Sequence, residues 1–179
     1  MDNKISRRGL FSAIPSLLKE SLDSRDSHLD IKEKEEAKDF NLIRPPYISE
    51  ESDFSLCKDC EGYCISKCEE KILQRYEDGS VYVVFNSSGC TFCGECYKAC
   101  NKGVLIDKDN RKISAKVQII TERCLAWNKT MCFSCKDPCL DDAIKFEGLF
   151  KPKIITDKCS GCGFCIITCP VNAIVARSL

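Results

Sequence analysis

The stretch CSGCGFCIITCP, residues 159–170, decides how the rest of the chain is read. Its thiols are spaced C-x2-C-x2-C-x3-C, and Pro170 follows the last of them. Cysteines two or three residues apart lie on one tight loop, where they rarely meet the span of a disulfide but converge readily on a shared metal. The same spacing recurs in CTFCGECYKAC at 90–100. It is the ligand run of bacterial iron–sulfur loops, in which three thiolates wrap one cluster and the fourth reaches the other cluster of a pair. Gly89, Gly94, Gly161 and Gly163 fit this account, because a backbone folded closely around a cluster needs positive φ and small side chains.

Outward from these two runs, all sixteen cysteines fall into groups of four with none left over. The groups are Cys57, Cys60, Cys64, Cys68; Cys90, Cys93, Cys96, Cys100; Cys124, Cys132, Cys135, Cys139; and Cys159, Cys162, Cys165, Cys169. All sixteen are the expected iron ligands, of four 4Fe-4S clusters. The first group has one extra residue, C-x2-C-x3-C-x3-C, and the third opens with C-x7-C. Widening a gap from three to eight steps costs about 0.9 kcal/mol in loop closure. A structural metal site contributes on the order of 10 kcal/mol, judged by zinc. The third group is therefore expected to hold a cluster with residues 125–131 bulging out; a three-iron or labile cluster is the alternative. Trp127, the only tryptophan, sits in that bulge, where core packing competes with shielding of the cluster or a partner contact.

The groups begin at residues 57, 90, 124 and 159, a regular step that marks repeated structural units. After each fourth cysteine comes a small or long residue and then a branched apolar one: Lys71-Ile72 with an extra position, Val104-Leu105, Ala143-Ile144 and Ala173-Ile174. Between the groups lie β-rich runs at 80–86, 104–120 and 143–156, with turn signals at Asp109-Asn110 and Glu147-Gly148 that predict hairpins. Each unit reads as a cysteine loop, a short helix begun around the fourth cysteine, and a returning strand. The fold class is α+β: tandem bacterial-type, double-cluster ferredoxin modules at 50–110 and 111–179, after a flexible N-terminal extension at 1–49. Local pairing has Cys68 and Cys100 exchanging clusters, and Cys139 and Cys169 likewise; nested pairing of the first group with the fourth and the second with the third is the alternative.

Composition narrows the function. The 27 basic and 27 acidic residues cancel, so no general field attracts nucleic acid or an anionic membrane. Four loaded clusters would bring the total to about −8, which disfavours acidic partners. No stretch approaches the ~20 apolar residues of a membrane span. Zinc is the competing metal, but it prefers two separated C-x2-C knuckles. The sole histidine, His28, lies in a charged stretch, which excludes mixed Cys/His zinc sites and C-x-x-C-H haem attachment. There is no Gly-rich phosphate loop, no nucleophilic serine motif and no histidine beside a base. The expectation is a protein whose clusters carry electrons or stabilise a binding surface, not an enzyme with its own substrate site.

Residues 20–42 are crowded with charge and read as a solvated linker, and RPPY at 44–47 fixes an extended segment. Arg7-Arg8 ahead of GLFSAIPSLL resembles a twin-arginine export signal. Pro15, Ser16, Lys19 and Glu20 interrupt or end the apolar part, and no A-x-A site follows, so an uncleaved segment is preferred over export. Leu10, Phe11, Ile14, Leu17 and Leu18 then form an apolar stripe suited to docking on a partner.

SRRGLF at 6–11, RPPY at 44–47, GCTFCGEC at 89–96, the CLA start of the third group with its C-x2-C-x-D-x-C, and CSGCGFCIITCP together resemble one family. The chain is similar to the NapF family of ferredoxin-type proteins of the periplasmic nitrate reductase system, over nearly its whole length apart from the charged linker. It departs from that pattern in the extra residue of the first group and in lacking proline after Cys68, Cys100 and Cys139. The resemblance implies four 4Fe-4S clusters and a cytoplasmic accessory role. In that role the protein binds the molybdenum-containing nitrate reductase catalytic subunit before its export and assists its maturation. A general electron-transfer subunit of a quinol- or flavin-linked oxidoreductase is the alternative.

Overall fold

Three residues after the last cysteine of every group, the chain turns left-handed: at Lys71 (φ 54°), Gly103 (φ 67°), Asp142 (φ 48°) and Asn172 (φ 48°). The computed structural model, which describes residues 42–179, shows what this turn does. The next residue drops inward, so that Ile72, Val104, Ala143 and Ala173 are each 2% exposed or less, and its neighbours Leu73, Leu105, Ile144 and Ile174 are also buried. In the first unit the apolar pair is thus Ile72-Leu73, one position later than the Lys71-Ile72 read from the sequence. Lys71 takes the turn instead, and it is exposed.

Short helices α1 (Tyr63–Ser66), α2 (Glu95–Lys98) and α3 (Phe164–Ile167) each follow a left-handed glycine, Gly62, Gly94 and Gly163. They carry the third cysteine of their group, Cys64, Cys96 and Cys165, and stop before the fourth. The sequence reading put these helices at the fourth cysteine; the glycine start shifts them one cysteine earlier. The third group, with no glycine at this position and with Pro138 in the way, forms turns only.

Six strands make three two-stranded antiparallel sheets. Strand β1 (Leu73–Arg75) pairs with β2 (Val81–Val83), and β4 (Ile144–Glu147) with β5 (Phe150–Ile154) through the turn at Gly148 (φ 65°). The hairpin expected around Asp109-Asn110 does not form. Instead β3 (Ala115–Ile119) pairs with the C-terminal β6 (Ile174–Ser178), Val117 opposite Ala176. The Asp107 carboxylate accepts the N–H groups of Asp109 and Asn110 and closes a local turn; the strand after it takes a distant partner that buries Val117 and Ile174.

Two apolar clusters result. One gathers Tyr47, Ile72, Leu73, Val81, Val83, Val104, Leu105 and Ile113 around Cys57, Cys64 and Cys96. The other gathers Val117, Ile144 and Ile174 around Cys135 and Cys165. Thiols stand where a larger core would place aliphatic side chains. Arg7-Arg8, the 10–18 apolar stripe, His28 and the charged stretch through residue 41 lie outside the described residues. Among the described residues, no helix is long and apolar enough to cross a membrane.

Candidate metal centre

Three of the cysteine sets enclose a void. Cys90, Cys93 and Cys96 line one together with Cys68 of the preceding group. Cys124, Cys132 and Cys135 line a second with Cys169, and Cys159, Cys162 and Cys165 a third with Cys139. In the remaining set Cys57, Cys60 and Cys64 lie close enough to Cys100 for the thiols to perturb one another. Each loop therefore contributes three sulfurs to its own set and the fourth to its neighbour's. Four cysteines line the void of the widened third group, as they do that of the regular fourth.

The widened loop is itself ordered by hydrogen bonds. The Cys124 N–H donates to Ile120 O, and the Asn128 N–H to the carbonyls of Cys124 and Leu125. The Asn128 amide nitrogen donates to Thr121 O, Glu122 O and Cys124 O. Trp127 is half-buried and donates from Nε1 to Pro152 O at 3.1 Å, pinning the bulge to β5. Pro152 and Leu125 line the third group's void, whereas Trp127 does not.

The backbone around the sulfurs supplies donors. Val104 and Leu105 N–H groups donate to Cys100 Sγ, the Ala143 N–H to Cys139 Sγ and the Ala173 N–H to Cys169 Sγ, at 3.2–3.3 Å. These are the residues released inward by the left-handed turn. Gly62 and Phe92 N–H groups donate to Cys60 and Cys90 Sγ at 3.4 Å. Arg75 donates to the carbonyls of Cys57 and Cys60, staking the first loop to β1. Arg75 and these amide donors lie outside the motifs legible in the sequence; the recurring turn residue three places after each fourth cysteine is the signal that points to the amides.

Burial, reinforced by neighbouring thiols, pushes the third thiol of each group up: Cys64 and Cys135 to about 11, Cys96 and Cys165 to about 12. Four thiolates gathered this way require compensating positive charge. Amide donors aimed at sulfur, deep burial and four-sulfur voids fit an iron–sulfur core, which would be held by these cysteines and would accept and release single electrons. Among the described residues, no three His, Cys, Asp or Glu side chains close on one metal ion. A zinc tetrahedron with Zn–S near 2.3 Å needs sulfurs only about 3.8 Å apart.

The second and fourth sets adjoin. The Cys90 N–H donates to Cys162 O at 2.7 Å, and the Ile113 N–H to Ser160 O at 2.9 Å. Gly89 makes this approach possible: a Cβ there would lie 2.6 Å from Cys162 O and 2.7 Å from Phe164 N. Gly89 is thus required for closeness, while Gly94, Gly161 and Gly163 do adopt positive φ.

Loops of three cysteines whose fourth thiol crosses to a neighbouring loop, backed by short strands, define an iron–sulfur protein of the ferredoxin type. Residues 152–175 match the family described as 4Fe-4S binding domain. The chain is 37% identical over 144 residues to the ferredoxin-type protein NapF of Escherichia coli (strain K12), covering 78% of this chain and 87% of that protein. It is 36% identical over 163 residues to NapF of Haemophilus influenzae, covering 88% and 92%. The methylamine utilization ferredoxin-type protein MauM of Methylorubrum extorquens is 30% identical over 176 residues, 86% and 78%. The chain belongs to the NapF family of ferredoxin-type proteins.

Proposed function

We propose that this chain is a polyferredoxin that carries four 4Fe-4S clusters on its sixteen cysteines, arranged as two double-cluster modules over residues 50–110 and 111–179. It serves as an accessory protein of nitrate reductase: it binds the molybdenum-containing catalytic subunit in the cytoplasm and helps it mature, with electron delivery as part of that work. The observation that carries this reading is the crossing of the fourth thiol into a neighbour's void, in a chain whose relatives include NapF proteins along most of their length. The N-terminal 1–49 segment, uncleaved, supplies a docking element.

A second reading, a general electron-transfer subunit fed by a quinol- or flavin-linked donor, is favoured by the similarity to MauM, which is named for methylamine utilization. The meeting of the second and fourth sets at Cys90 and Cys162 also suits it, because it brings cysteines of the two proposed modules side by side. Anaerobic purification with iron and sulfide counts tests the cofactor, with about 16 of each expected for four cubanes. A pull-down against the cofactor-free catalytic subunit then separates the readings. Capture of that form supports maturation, and capture of the mature, exported enzyme alone overturns it.

A further inference from the structure

RPPY at 44–47 does more than extend the chain. Pro45 and Pro46 are fully buried, and Arg44 donates to Val81 O while lying 4.2 Å over the Phe54 ring. Tyr47, 3% exposed, is held by its backbone: its N–H donates to Asn110 O, and its carbonyl accepts from Ile106 and Asp107. Its ring packs against Tyr97 and borders the second group's void beside Cys68, Cys90, Cys93 and Cys96. From this fixed position the hydroxyl donates to Phe92 O at 2.8 Å.

Phe92 lies between Cys90 and Cys93 at φ 53°. This left-handed conformation is unfavourable for a residue with a Cβ. The corresponding position of the fourth group is Gly161, at φ 75°. Bent this way, the Phe92 N–H reaches Cys90 Sγ at 3.4 Å. Something must hold a phenylalanine where its counterpart is glycine, and two donors converge on its carbonyl: Tyr47 Oη and, at 3.3 Å, Arg111 Nη2.

We infer that Tyr47 is a positioning residue for the second cysteine loop: its hydroxyl clamps the strained Phe92 peptide so that the Phe92 N–H and the Cys90 and Cys93 thiols keep the geometry a cluster requires. The inference rests on the iron–sulfur reading above and deepens it. A merely space-filling Tyr47 would tolerate loss of its hydroxyl, since phenylalanine keeps the ring, and its effect would not depend on what stands at position 92.

The test uses the full chain purified anaerobically as wild type, Tyr47→Phe, Phe92→Gly and the double variant. Each is challenged with an iron chelator while visible absorbance is followed and newly exposed cysteines are alkylated and mapped. Tyr47→Phe is expected to speed loss of about a quarter of the iron roughly tenfold, equivalent to about 1.4 kcal/mol, with early alkylation confined to Cys68, Cys90, Cys93 and Cys96. In the Phe92→Gly background, where the strain is gone, the same change should have less than about a twofold effect, as a coupled pair requires. Equal acceleration in both backgrounds, or alkylation spread over all four sets, overturns the clamp. Amide hydrogen exchange across residues 91–94 reads the clamp independently of metal, and exchange unchanged by Tyr47→Phe also overturns it. Wild-type protein without inorganic sulfide would instead overturn the cluster reading.

Discussion

Replacing Gly89 by alanine is the sharpest test of how the second and fourth cysteine loops meet. The new Cβ would sit 2.6 Å from Cys162 O, 2.7 Å from Phe164 N and 2.8 Å from Phe164 Cγ. Two of the three contacts are backbone, so no side chain can swing aside, and the loops must part by several tenths of an ångström. The hydrogen bond from the Cys90 N–H to Cys162 O, now 2.7 Å, lengthens or breaks. Overpacking of this kind costs about 1–3 kcal/mol, and the lost hydrogen bond about 1 kcal/mol more. A total of about 2–4 kcal/mol lowers Tm by about 5–15 °C in a unit of this size. Gly148→Ala is the control: its Cβ meets nothing within 4 Å, so only the left-handed backbone (φ 65°) is penalised, at about 1 kcal/mol. Anaerobic melts at one scan rate, followed by circular dichroism and visible absorbance, compare the two. A Gly89→Ala protein that melts no lower than Gly148→Ala would refute the close junction.

Other substitutions probe single features. Cys100→Ser should expose Cys57, Cys60 and Cys64 to alkylation and lower the iron content by about a quarter; losing protection at Cys124 instead would overturn the placement of Cys100 beside the first loop. Trp127→Phe removes the Nε1–H bond to Pro152 O and should cost about 1 kcal/mol in stability with iron content unchanged, so iron loss from this variant would show the bulge to be part of the metal site. Asp141 borders the fourth group's void, and its carboxylate accepts from the Ser160 N–H. Asp141→Asn removes a negative charge beside that set and should raise one reduction potential by on the order of tens of millivolts; four unchanged potentials in a redox titration would contradict it. Breaking the exposed Lys98–Glu95 pair should change stability by less than about 0.5 kcal/mol.

Which features were legible in the sequence follows from how far apart the interacting residues are. Three cysteines on one loop declare themselves by spacing alone. The β4–β5 turn was readable from Glu147-Gly148 because one glycine at positive φ closes it. Asp109-Asn110 carried a similar signal and misled, since a turn motif fixes the bend but not the partner of the strand that leaves it. The short helices were misplaced by one cysteine because a left-handed glycine, not a thiol, starts them.

By itself the sequence determined the chemistry: grouped thiols, and glycines where the backbone must bend or pass closely, all of them features within a few residues. The tertiary structure alone decided which void receives each crossing thiol, that Cys90 meets Cys162 across Gly89, and that Tyr47 reaches Phe92. These contacts join residues 20 to 72 positions apart. They are selected by the simultaneous burial of Ile72, Val104, Ile113, Ile144 and Ile174, a packing condition that no local window of the chain contains.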